Sequence, residues 1–67
     1  MRNRLKELRA RDGYNQTQLA QKIGVSRQTI SLIERKELVP SVVTAMKIAR
    51  VFNVPVESVF IFEEDLE

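Results

Sequence analysis

Apolar residues recur along this chain at the three- and four-residue spacings of amphipathic helices, and helix-stop and helix-start chemistry fills the gaps between them. Leu5, Leu8 and Ala10 mark the inner side of a first helix predicted over residues 3–12, with Arg2, Arg4, Lys6 and Arg11 outside. Gly13 ends it, because glycine enters the left-handed conformation at little cost. Asn15 caps a second helix that reaches Ile23. The Asn-x-x-Gln spacing to Gln18 is a capping box, and Tyr14 with Leu19 fits a hydrophobic staple. Gly24 makes the next turn, and Ser26 caps a third helix running to about Arg35. Within it Ile30 and Ile33 face inward, while Arg27, Gln28, Ser31 and Leu32 share the opposite face.

Pro40 disfavours helix at Val39, so the segment KELVPS reads as a connector, and Ser41 caps a fourth helix over residues 42–52. Ala45, Ile48, Ala49 and Phe52 form its inner stripe. Val43, Met46 and Val51 lie elsewhere on the same helix, which is therefore apolar over more surface than one core requires. Asn53 is a left-handed stop, and Val54-Pro55 opens a short fifth helix to about Val59. Consecutive bulky residues then favour a short extended segment before the acidic tail at 63–67. The pattern predicts one domain over residues 1–67: an all-α, five-helix bundle with a short C-terminal extended piece.

The central stretch, QTQLAQKIGVSRQTISLIERK, adds a sharper expectation. Ala20, Gly24, Val25, Ile30 and Ile33 fall where two short helices crossing steeply need small or apolar side chains, the arrangement of a helix-turn-helix. A larger side chain than Ala20 would push the two helices apart. Such a motif holds its second helix proud of the body, free to enter a DNA major groove. Charge agrees. Residues 1–36 hold nine Lys/Arg against three Asp/Glu, a net of +6, and residues 37–67 hold two against six, a net of −4. A basic end suits a polyanion, since neutralising phosphates releases counterions. The absence of cysteine and histidine excludes disulfides and the usual zinc sites, so neither cofactor nor metal is expected. With no clustered carboxylates outside the tail either, an enzyme is a poor fit. No apolar run approaches the ~20 residues of a membrane span, and the charged start is no signal peptide, so a cytoplasmic protein is expected.

Leu8-Arg9, Gly13, Asn15-Gln16, Leu19-Ala20, the run from Ile23 to Ser31, Ile33-Glu34, Pro40-Ser41 and Lys47-Ile48-Ala49 together carry a family likeness. Over nearly its whole length the chain resembles the Xre family of helix-turn-helix regulators, which includes the phage Cro and repressor DNA-binding domains. The resemblance implies the lambda-repressor-like fold. Its compact single-domain members bind palindromic operators as homodimers and mostly repress transcription. An antitoxin using the same domain for autoregulation is the alternative; it usually needs an added toxin-binding segment, for which only the short tail is available.

Arg27 and Gln28 open the third helix, the end that enters a groove first; arginine can pair with guanine O6 and N7, glutamine with adenine N6 and N7. Ser31, one turn on, can bond a base edge or a phosphate. Leu32 has two readings, contact with a thymine methyl or cover by the connector. Gln16 resembles the family position that touches phosphate and braces the glutamine of the third helix. Thr17, Ser26 and Thr29 can add hydroxyl contacts to the DNA backbone, although capping alone accounts for Ser26. Arg35 and Lys36 are placed along the phosphate track. Arg9 and Glu34 match a family salt bridge between the first and third helices, whose loss would tilt the reading helix. Many relatives have glycine in the turn after this glutamate, where this chain reads Arg35-Lys36-Glu37. The resemblance also places a two-fold contact in residues 54–62, with Val56, Val59, Phe60, Ile61 and Phe62 as its apolar surface. The implied partners are double-stranded DNA and a second copy of the chain, with no membrane and no small-molecule ligand.

Overall fold

A computed structural model describes residues 2–61, in the order β1 (Arg2–Asn3), α1 (Leu5–Asp12), α2 (Gln16–Ile23), α3 (Arg27–Glu34), α4 (Val42–Phe52), α5 (Val56–Val59) and β2 (Phe60–Ile61). The five helices and the extended piece after the fifth are present as predicted. Phe62 and the acidic tail lie outside the described residues.

Local chemistry starts and stops these helices. Asn15 Oδ1 accepts from the Gln18 amide at 2.7 Å, and the Gln18 side chain accepts from the Asn15 amide at 2.9 Å, closing the capping box. Ser26 and Ser41 accept from the amides of Thr29 and Thr44, each at 3.1 Å. Gly13, Gly24 and Asn53 follow α1, α2 and α4 in the left-handed conformation. The end of α3 has the same geometry with a costlier residue. Lys36 has φ 65°, its N–H donates to the Ile33 carbonyl, and the Glu37 N–H reaches back to Leu32, the paired bonds of a Schellman stop.

One core joins the elements. Leu5 and Leu8 of α1, Leu19, Ala20 and Ile23 of α2, and Ile30 and Ile33 of α3 are buried with Ala45, Ile48, Ala49 and Phe52 of α4 and with Val59 and Phe60. Tyr14 packs against this cluster, edge-on to Phe52 with ring centroids 6.0 Å apart.

Helix α1 begins at Leu5 rather than at Asn3. Asn3 is in β1, which pairs antiparallel with β2 in the register Arg2↔Ile61 and Asn3↔Phe60. The Arg4 amide donates to the Val59 carbonyl at 2.8 Å, and Asn3 Oδ1 accepts from the Leu5 amide at 3.2 Å, so the turn before α1 is committed to these bonds. Ala10 is exposed instead of inward. It stands five residues from Leu5, well round the helix from the Leu5–Leu8 stripe, because a turn takes 3.6 residues. Val51 is half-buried against the core, whereas Val43 and Met46 are exposed.

Candidate nucleic-acid interface

Two short helices and a left-handed turn place the outer face of α3. Gly24 turns the chain at φ 78°, and Ser26 fixes the first amides of α3; its hydroxyl also bonds Thr29 Oγ1 at 2.9 Å. Ile30 and Ile33 are fully buried, anchoring one side of the helix. The opposite side is open. Arg27 and Gln28 are exposed, and Ser31 and Leu32 one turn later are half-buried. The Leu32 carbonyl takes the Glu37 amide where the connector turns back.

The second rank of predicted residues flanks this face. Thr17 and Ser26 are exposed, and Gln16 and Thr29 are half-buried. Arg35 and Lys36 are exposed beyond the last turn; Arg35 lies 3.8 Å from Glu37, and Lys36 makes no ion pair among the described residues. Helix, turn and flanking cations thus form one open surface of donors.

Beneath it runs a polar chain. Arg9 grips Glu34 with both arms, Nε to Oε2 at 2.6 Å and Nη2 to Oε1 at 3.1 Å, with the side chains only 13% and 9% exposed. Arg9 Nη1 also donates to the Tyr14 carbonyl at 3.1 Å. A paired fork of this kind fixes orientation more than it adds net stability. Gln16 joins on: its Nε2 donates to Glu34 Oε1 at 3.1 Å, and its Oε1 accepts from Arg27 Nη1 at 3.2 Å. Gln16 therefore holds Arg27, where the family likeness pointed to bracing the glutamine of the third helix. The residue pattern missed this link and a second one, from Asn3 Nδ2 to the Ile33 carbonyl in the last turn of α3 at 2.9 Å. The first depends on how two consecutive helices cross and the second joins residues thirty apart in sequence, and residue spacing signals neither.

The residues predicted for a two-fold contact divide by burial. Val59 and Phe60, at 0% and 3% exposure, belong to the chain's own core, where the end of α5 and the start of β2 join the buried cluster. They are corrected from exposed contact residues to core residues. Val56 and Ile61 remain half-buried, and Phe62 is outside the described residues. The exposed large apolar side chains are instead Leu38, Val39, Val42, Val43 and Met46, on the connector and the first turns of α4. Several of them rim a groove of about 220 Å³ lined by Val39, Pro40, Val42, Ala45, Met46, Val56 and Phe60. Among the described residues no cluster of His, Cys, Asp or Glu is placed to hold a metal ion, and no helix is long and apolar enough to cross a membrane.

Comparison with known proteins gives matches over this same span. A family profile described as helix-turn-helix matches residues 5–59. An uncharacterized HTH-type transcriptional regulator of Bacillus subtilis, YgzD, is 48% identical over 65 residues, covering 97% of this chain and 98% of the relative. The restriction-modification controller protein C.AhdI from Aeromonas hydrophila superposes with a TM-score of 0.78 at 32% identity, over 85% of this chain and 86% of that one. The N-terminal DNA-binding domain of SinR from Bacillus subtilis gives 0.79 at 32% identity, over 92% and 91%, and SinR has also been crystallised in complex with DNA.

Proposed function

The chain belongs to the Xre-type helix-turn-helix family of transcriptional regulators, which are not enzymes, and on that premise we propose that it binds double-stranded DNA sequence-specifically as a homodimer. The observation that carries this reading is the free outer face of α3, where Arg27 and Gln28 stand exposed over a helix whose other side is locked in the core. That face enters a major groove. Arg27 reads guanine, Gln28 reads adenine, and Ser31 and Leu32 meet the next bases. Gln16, Thr17, Ser26, Thr29, Arg35 and Lys36 grip phosphates on either side, setting register and affinity without reading sequence. The likeness to the DNA-binding domain of SinR, and SinR's complex with DNA, support this use of the surface.

The second copy docks on the exposed apolar patch of Val39, Val42, Val43 and Met46, with Val56 lining the adjoining groove. A two-fold axis there sets two α3 helices in successive major grooves about 34 Å apart, which matches a palindromic operator. Occupying such a site blocks other proteins from it, so the regulator acts as a repressor in the cytoplasm. Selection of bound sequences from random duplexes tests the proposal. Recovery of a palindrome is the expected result, and recovery of unrelated sequences with no common half-site refutes it.

A further inference from the structure

Arg27 does not set its own position. We propose that Glu34, which does not reach the open face itself, is a positioning residue for base recognition: through Gln16 it holds the Arg27 guanidinium in its reading pose. The inference rests on α3 being the reading helix and assigns what controls its leading side chain.

The argument starts from what each group can do. A carboxylate only accepts hydrogen bonds, and a guanidinium only donates them. Glu34 takes the Arg9 fork on both oxygens, and its Oε1 also accepts from Gln16 Nε2 at 3.1 Å. Only the amino end of Gln16 can face that oxygen. Its carbonyl end is thereby turned to the other side, where it accepts from Arg27 Nη1 at 3.2 Å. The flipped amide would set carbonyl against carboxylate and amino group against guanidinium, which is repulsive at both ends. Glu34 and Arg27 are seven residues apart on one helix, about two turns or 10 Å, beyond direct reach. Gln16, from α2, spans the gap.

The pose has a chemical consequence. With Nη1 engaged by Gln16, the Nε and Nη2 edge of Arg27 is left with two parallel N–H groups for guanine O6 and N7. An unheld arginine offers the same donors in many directions. The charge at the end of α3 thus controls discrimination at its beginning.

Three variants test this in the full-length chain: Glu34→Gln, Gln16→Ala, and the double exchange Gln16→Glu with Glu34→Gln. The double exchange rebuilds an acceptor facing Arg27. Each is assayed by selection from random duplexes and by thermal melting. The base position read by Arg27 is the one that Arg27→Ala loosens. Glu34→Gln and Gln16→Ala are each expected to reduce preference at that position by roughly tenfold, with the other positions unchanged, and the double exchange to restore it. Gln16→Ala leaves the Arg9–Glu34 pair intact, so it decides the matter by itself if the variants carrying Glu34→Gln melt below assay temperature. Unchanged preference, loosening of every position together, or failure of the double exchange to restore the profile overturns the proposal. A wild-type chain that selects no site refutes the DNA-reading role and this inference with it. A wild-type site retained in full by the single variants refutes the positioning role alone.

Discussion

Replacing Lys36 by glycine should stabilise the protein and weaken its grip on DNA at the same time. Lys36 sits at φ 65° as the left-handed stop of α3, a conformation that costs an L-residue about 1–2 kcal/mol. The stop is made entirely by backbone bonds, from Lys36 and Glu37 to the carbonyls of Ile33 and Leu32 at 3.0 and 2.9 Å, so glycine keeps both. Its side chain is exposed and makes no ion pair among the described residues, so no folded-state contact of that kind is lost. Glycine's greater freedom in the unfolded chain offsets about 0.5–1 kcal/mol of the relief. The net expectation is a gain of about 0.5–1 kcal/mol, and thermal melting should rise by several degrees, given ~4–8 °C per kcal/mol in domains of this size. On DNA, one phosphate contact per protomer disappears, so the slope of log affinity against log salt should flatten by about 0.9 for each protomer bound. Base preference should not change, because phosphate contacts carry no sequence information. Lys36→Gln separates the two effects: it should flatten the salt slope without raising the melting temperature. A lower melting temperature for Lys36→Gly, or an unchanged salt slope in both variants, refutes the reasoning.

Arg27→Ala should relax preference at one base position and weaken the selected site by about 1–3 kcal/mol, measured by competitive gel shift, while Arg35→Ala weakens all sequences alike. Val42→Glu, placed at 75% exposure on the apolar patch, should leave the melting curve of the monomer within about 0.5 kcal/mol but reduce dimer mass in sedimentation and cut operator affinity. Ala20→Leu should destabilise by about 1–3 kcal/mol, read from urea denaturation, because Ala20 is 2% exposed in the packed core. The Glu7 and Asp12 carboxyls are held below their usual values, chiefly by hydrogen bonds from Arg4 and Arg11. Their contribution is present above the ordinary carboxylate range and lost as pH falls through the lowered values. With no histidine in the chain, melting temperature should stay flat between about pH 6 and 8 and decline only in acid.

The caps and stops were legible because they are local. Asn15 with Gln18, Ser26, Ser41, Gly13, Gly24 and Asn53 each act within a few residues, and each is found where its chemistry put it. The inner stripe of α4 was legible for the same reason. What stayed hidden depends on encounters between distant elements. Asn3 looks like the first turn of a helix until Phe60 arrives to pair with it. Val59 and Phe60 look like surplus apolar surface until the fold shows that they complete the core. Of the interface residues, Arg27 and Gln28 could be placed on the outer side of α3 by counting residues. The bond from Gln16 to Arg27 could not, since it depends on how α2 crosses α3.

The short β1–β2 clasp has a consequence for how the domain comes together. The amide of Arg4 meets the carbonyl of Val59, and Arg2 meets Ile61, so the first of the described residues are bonded to the last of them. Closing so long a loop adds an entropic cost. During synthesis on the ribosome the two central helices can dock as soon as they emerge, whereas the entrance to α1 stays unfinished until the last strand is released. The clasp is the final stitch, and a chain stalled short of Phe60 lacks it.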